Sequence, residues 1–312
     1  MRCKKLALRV LSTAAFLSIV TSCAAPAFAD AYGIAVYGNY DLANGSITVE
    51  YKNGGYYVTQ EGTEAGGTQA ESDGQVTISG GSTESPTSNT ITIINNTAGS
   101  TAYTGTSEST DESKNDSSAK ITLSDVNIDT SKDSSNPEGG KAGMTVEGTG
   151  DVTIEIDGNN VNRITGSGSH AGIEKTSSGN LVFRDDNKQG NDKLEATGGA
   201  GAAGIGSAAG EDVSNIYIYN GQITAKGGDG ATGGGAGIGS GAGGKAENIT
   251  IRNGVFNNVT GGKGTGEGTG ANGGAGIGSG ANGENKDLTI GNGTFNSVTG
   301  GAGKNGGAGM GS

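Results

Sequence analysis

The feature that most constrains this chain is a regularly spaced anchor. Ala-Gly-Ile recurs at Ala203-Gly204-Ile205, Ala236-Gly237-Ile238 and Ala275-Gly276-Ile277, with a looser copy at Ala171-Gly172-Ile173 and a last one at Ala308-Gly309-Met310. Successive copies lie 32, 33, 39 and 33 residues apart. Each full anchor is followed by a segment that closes on Asn-Gly: Ile216-Tyr217-Ile218-Tyr219-Asn220-Gly221, Ile249-Thr250-Ile251-Arg252-Asn253-Gly254 and Leu288-Thr289-Ile290-Gly291-Asn292-Gly293. A third segment comes next (Gln222 to Ala225, Val255 to Thr260, Thr294 to Thr299) and leads into a Gly-Gly pair. Alternation with period two marks a strand with one buried face. Asn-Gly tolerates the positive φ of a bend. About three short strands in each unit predict an all-β solenoid, a parallel β-helix whose stacked turns bury together what no single turn can bury alone.

Composition taken by itself points elsewhere. Of 312 residues 64 are glycine, and the formal charge is −12, a profile usual for disordered chains. Disorder does not keep isoleucines in register, so the glycines are expected at corners. The 39-residue interval carries most of its extra length in the filler from Lys263 to Gly274, where a longer corner loop costs little. Only three prolines and no strict three-residue glycine period exclude collagen.

The amino terminus reads as an export signal. Arg2, Lys4, Lys5 and Arg9 precede an apolar run from Val10 to Val20, and Ala27-Phe28-Ala29 is a small-x-small cleavage site. Val20-Thr21-Ser22-Cys23 is a competing lipobox, which would tether the chain to a membrane through Cys23. Either route places the protein outside the cytoplasm, secreted or at the cell surface. Beyond residue 29 there remain 16 basic and 32 acidic residues and no cysteine. That balance argues against nucleic acid as a partner, and the missing thiols exclude disulfides and thiolate metal sites. No Gly-Lys pair is followed by Ser or Thr, so nucleotide binding through a P-loop is not expected.

The chain divides into a signal peptide (1–29), a β-rich capping region (30–60), a strand segment with Ser/Thr/Gly-rich flexible loops (61–118) and the repeat domain (119–312). The flexible stretches are placed at 61–74 and 98–118. The last residues, Met310-Gly311-Ser312, fall inside an anchor, as expected of a piece of a longer chain.

The series "AKITLSDVNID", "DVTIEIDGNN", "SHAGIE", "KLEATGG", "AAGIGS" and "NITIRNG", with the recurrent "AGIGSG", resembles the secreted Gly-rich β-helix carbohydrate-binding proteins of Gram-positive, clostridial-type bacteria over residues 89–312. That resemblance implies a right-handed, pectate-lyase-like parallel β-helix, an extracellular location, and binding of plant or bacterial cell-wall polysaccharide, with calcium as a further implied ligand. The leading expectation is a non-catalytic binding module that meets polysaccharide through a repetitive face. A polysaccharide lyase or hydrolase on the same fold, using Arg163 or Arg184 beside the acids, is the alternative, and an adhesin or spacer without a small ligand is the third.

Candidate residues follow. Tyr217 and Tyr219 share the outward face of one strand, with Arg252 stacked beyond them; they form either a sugar-contacting strip or a packing pair. Asp185, Asp186, Asp192 and Glu195 are dense enough to hold calcium, a hard cation that needs several oxygens, or else form a solvated acidic loop. The nonapeptide calcium pattern fails, because Gly261-Gly262-Lys263-Gly264-Thr265-Gly266 lacks its aspartate. His170, the only histidine, is expected at an outward strand or corner position without triad partners.

Overall fold

The computed structural model describes residues 38–61, 68–70, 76–82, 84–97, 118–133, 139–186, 192–267 and 271–312. Among these the chain is strands and bends, with two short 3-10 turns at Leu42–Asn44 and Thr130–Lys132. No helix among them is long and apolar enough to cross a membrane. Most of the two stretches expected to be flexible, and all of the export signal, lie outside the described residues. Thr68–Ala70, inside the first stretch, is a strand.

The strands form two sheets. The larger has 14 strands, and its path runs Asn285–Ile290, Ala246–Ile251, Val213–Ile218, Leu181–Arg184, Val152–Asp157, Ala119–Asp129, Val161–Thr165, Lys193–Thr197, Gln222–Lys226, Val255–Thr260, Thr294–Phe295. The second has 10 strands and carries the anchors. Ile173, Ile205, Ile238, Ile277 and Met310 follow one another there as direct parallel partners. Among the described ladders only the meander Ile47–Lys52, Gly55–Gln60, Thr68–Ala70 is antiparallel.

This connectivity corrects the expected fold. The chain is not a right-handed, pectate-lyase-like β-helix with about three separate strands per turn. Two of the strand sets expected as distinct faces are one continuous sheet, which curls 299° round an axis to make a near-barrel. The cause is Ala119–Asp129, an 11-residue strand. Its first half pairs with Val152–Asp157, its last residues pair with Val161–Thr165, and Asp125 between them adopts φ 59. An aspartate tolerates that left-handed geometry, and it turns the strand without ending it. The resemblance to the secreted β-helix carbohydrate-binding family falls with the fold that it implied.

The buried side chains form one apolar cluster. One inner rank is Ile121, Ile154, Phe183, Ile218 and Ile251, and the next is Val152, Leu181, Ile216 and Ile249. Each of these side chains is essentially inaccessible to water. At ~1.5–3 kcal/mol for each buried large side chain, ranks of this kind let a glycine-rich chain offset its ordering entropy. A further inner rank, Leu194, Ile223 and Phe256, ends on Phe295, stacked on Phe256 at 4.9 Å and 13°.

The anchor sequence has a geometric reason at each letter. Isoleucine fills the core rank. The following glycine has φ 146, 135 and 134 at Gly206, Gly239 and Gly278, and a Cβ there would run into the carbonyl oxygen of the next copy. The serine after it is a connector. Ser240 Oγ donates to the Gly244 carbonyl at 2.8 Å and accepts from the Gly280 N–H at 3.1 Å, and Ser207 Oγ accepts from the Gly241 N–H at 3.0 Å. The Gly-Gly pairs are close approaches of the backbone: the N–H groups of Gly228, Gly262 and Gly301 each donate at 2.8 Å to a neighbouring loop, at the carbonyls of Ala202, Gly235 and Gly274.

Candidate functional site

The outward face of the larger sheet carries one rank of chemistry-bearing side chains. Phe183, Ile218 and Ile251 point into the core, so alternation turns the residue after each of them outward. Thr122, Glu155 and Arg184 are direct ladder partners. Tyr219 N–H bonds to the Phe183 carbonyl at 3.0 Å and Arg252 N–H to the Ile218 carbonyl at 2.8 Å, which extends the register. The rank therefore reads Thr122, Glu155, Arg184, Tyr219, Arg252. Its last four members are half-buried.

Arg184 lies over the Tyr219 ring, with Cζ 5.0 Å from the ring centroid. Glu155 Oε1 accepts from the Asp186 N–H at 2.7 Å, while Oε2 is buried without a hydrogen bond. Burial, reinforced by the charges of Asp186 and Asp185, raises the Glu155 carboxyl to about 7. Glu155 therefore changes charge near neutral pH.

The expected site residues separate in space. Tyr219 and Arg252 belong to the rank. Tyr217 is buried on the neighbouring rank between Val182 and Thr250, and its hydroxyl accepts from Asn248 Nδ2 at 2.7 Å. Asp185 is buried at the bend that follows the rank, a position held in later copies by Asn220, Asn253 and Asn292. Asp185 N–H donates to Asn220 Oδ1 at 2.7 Å, and Asn220 Nδ2 returns a bond to the Asp185 carbonyl at 2.9 Å. Asp186 is exposed beside Glu155. Asp192 is buried and its carbonyl accepts from the Gln222 N–H at 3.0 Å. Glu195 sits elsewhere, bound at 2.8 Å to Arg163, its direct ladder partner. Among the described residues no group of three or more His, Cys, Asp or Glu is placed to hold a metal ion.

His170 lies at a corner, with Nδ1 3.0 Å from Glu174 Oε2, an oxygen that also accepts the Ala171 N–H at 3.0 Å. Lys175 follows where later anchors have serine. Burial lowers its amine to about 8 against the opposing pull of Asp151, and Nζ donates to the Ser177 carbonyl.

These placements also correct the functional expectation. The outward ranks do not repeat from strand to strand, since one runs Thr, Glu, Arg, Tyr, Arg and its neighbour Lys120, Thr153, Val182, Tyr217, Thr250. A repetitive polysaccharide-binding face is therefore absent from the described sheet. The binding-module, lyase or hydrolase, and adhesin or spacer readings all assumed the β-helix and fall with it.

Glu155 gives a pH prediction. Its proton is held more tightly in the folded chain than at the ordinary value of 4.5, so its stabilising share is complete below about 4.5 and is lost as pH rises to about 7. Glu155→Gln removes the buried charge. After discounting for partial solvent exposure, the variant should gain on the order of 1 kcal/mol at pH 8 and nothing at pH 4. Paired urea titrations at the two pH values measure this.

Comparison with known proteins yields no match to a family model, a curated protein or a solved structure.

Proposed function

We propose that this chain is an exported protein that binds a ligand carrying an oxyanion (carboxylate, phosphate or sulfate) on the Glu155–Arg184–Tyr219–Arg252 rank. One observation carries the reading. Residues 30–312 contain three arginines among twice as many acidic as basic groups, and two of the three stand in line on either side of one tyrosine. The third, Arg163, pairs with Glu195 on another part of the sheet, and Arg184 lies over the Tyr219 ring. Guanidinium forks are the side chains best matched to planar and tetrahedral oxyanions. Neutral Glu155 removes an opposing charge from beside Arg184. Export is supported by the basic, apolar and small-x-small pattern of residues 1–29.

Sulfate is the suitable probe because its own charge is constant from pH 5 to 9. Calorimetric titration at fixed ionic strength should show saturable binding that tightens as pH falls from 8 to 6. Arg252→Ala should weaken it by roughly 10-fold or more, the usual loss for a charge-assisted bond. Binding that is equal in wild type and Arg252→Ala, or that strengthens with rising pH, would overturn the reading.

A further inference from the structure

One copy of the anchor breaks the repeat. Ile205, Ile238 and Ile277 are each followed by Gly-Ser, whereas Ile173 is followed by Glu174-Lys175. Without the glycine and its positive φ the strand runs one residue further, Ile173–Lys175 against Ile205–Gly206, and Lys175 pairs directly with Val146. Ile173 and Val146 are both core side chains, so alternation turns the lysine inward with them. Lys175 is 2% exposed.

The exchange alters the hydrogen-bond balance of this corner. A serine in the later copies both donates and accepts: Ser240 Oγ donates to the Gly244 carbonyl and accepts from the Gly280 N–H. An ammonium has three donors and no acceptor. Among the described residues Lys175 Nζ gives one bond, to the Ser177 carbonyl, so two of its N–H groups meet no acceptor. Ser177 is 7% exposed, and its Oγ is buried without a hydrogen bond. The backbone beside these groups is already satisfied. The Thr176 and Ser177 N–H groups both bond to the Val146 carbonyl, and the Ser178 N–H bonds to the Gly148 carbonyl. Lys175 forms no ion pair among the described residues; the opposite charge that acts on it, Asp151, has Oδ1 bound to the Asn180 N–H at 2.8 Å.

A buried ammonium without a contacting counter-charge is costly, and so is a buried hydroxyl without an acceptor. One acceptor with a single negative charge answers both. We infer that the Lys175–Ser177 corner binds a small monoanion of the halide type, held by the ammonium and the Ser177 hydroxyl. The single charge follows from Asp151, whose carboxylate opposes a dianion, and the monatomic size from the burial of both donors. This site is separate from the arginine–tyrosine rank and stands or falls without it.

The experiment uses the full chain at pH 6.5, where an amine that titrates at about 8 is charged, with gluconate replaced stepwise by chloride at constant ionic strength. The thermal midpoint should rise by about 2–4 °C as chloride reaches ~0.2 M, and the chloride NMR line should broaden. Lys175→Met keeps an unbranched apolar side chain in the core and should remove both responses. Ser177→Ala keeps the ammonium and should weaken chloride binding by roughly 10-fold, the usual loss for a charge-assisted bond. A chloride response that is absent from the wild type, or that is equal in the wild type and in either variant, overturns the inference.

Discussion

Gly239→Ala should be among the most damaging single methyl additions to this chain, costing about 2–5 kcal/mol. Two effects add. The backbone at Gly239 has φ 135, a region that L side chains rarely adopt. A Cβ there would also be driven into the Gly278 carbonyl oxygen, a backbone atom held in its own ladder that cannot swing aside. The same substitution at Gly210 separates the terms, because φ is 85 but nothing lies within 4 Å of the added carbon. Gly210→Ala should therefore cost only the backbone strain, about 1–3 kcal/mol. Urea midpoints for the two variants measure the difference. Equal losses would mean that the close approach between neighbouring anchors does not exist.

That pair of glycines also shows what the sequence could reveal. The anchors fix which residues stack, because Ile-Gly-Ser at intervals of 33 and 39 residues has few other uses, and Ile205, Ile238 and Ile277 are direct partners. Asp125 is where the sequence misleads. The run Ile121 to Ile128 reads as one strand although its apolar spacing slips by one across Ser124-Asp125, and period two says which face a residue takes but not how far the strand turns. A single left-handed aspartate bends it so that two expected faces become one sheet.

The site was legible in part. Tyr219 and Arg252 stand at the same offset after an apolar pair, Ile216 and Ile218 in one copy and Ile249 and Ile251 in the next. Arg184 holds that offset after Leu181 and Phe183, and Glu155 after Val152 and Ile154, so alignment of the four segments would have found the rank. Asp185 could have been recognised in the same way as the bend residue equivalent to Asn220. The burial of Tyr217 had no such signal. Alternation assigns it outward, yet it is buried, and its lateral neighbour Asn248, with φ 54, reaches across to its hydroxyl. The glycine filler was also opaque, since the hydrogen bonds between Gly262 and Gly235 or Gly301 and Gly274 join backbone atoms that every residue type carries.

The central claim is the parallel register that sets Arg184, Tyr219 and Arg252 in line. A cysteine cross-link tests it directly. Ser214 and Glu247 are direct partners on the strands that lead into Tyr219 and Arg252, and neither is buried. Parallel partners sit ~4.8 Å apart, inside the range a disulfide spans. With Cys3 and Cys23 changed to serine, the chain has no other thiol. Ser214→Cys with Glu247→Cys should then oxidise almost completely to an intramolecular disulfide under mild conditions. Ser214→Cys with Thr250→Cys, three residues out of register, should not. A disulfide in the second pair and none in the first would contradict the register, and with it the alignment of the arginine–tyrosine rank.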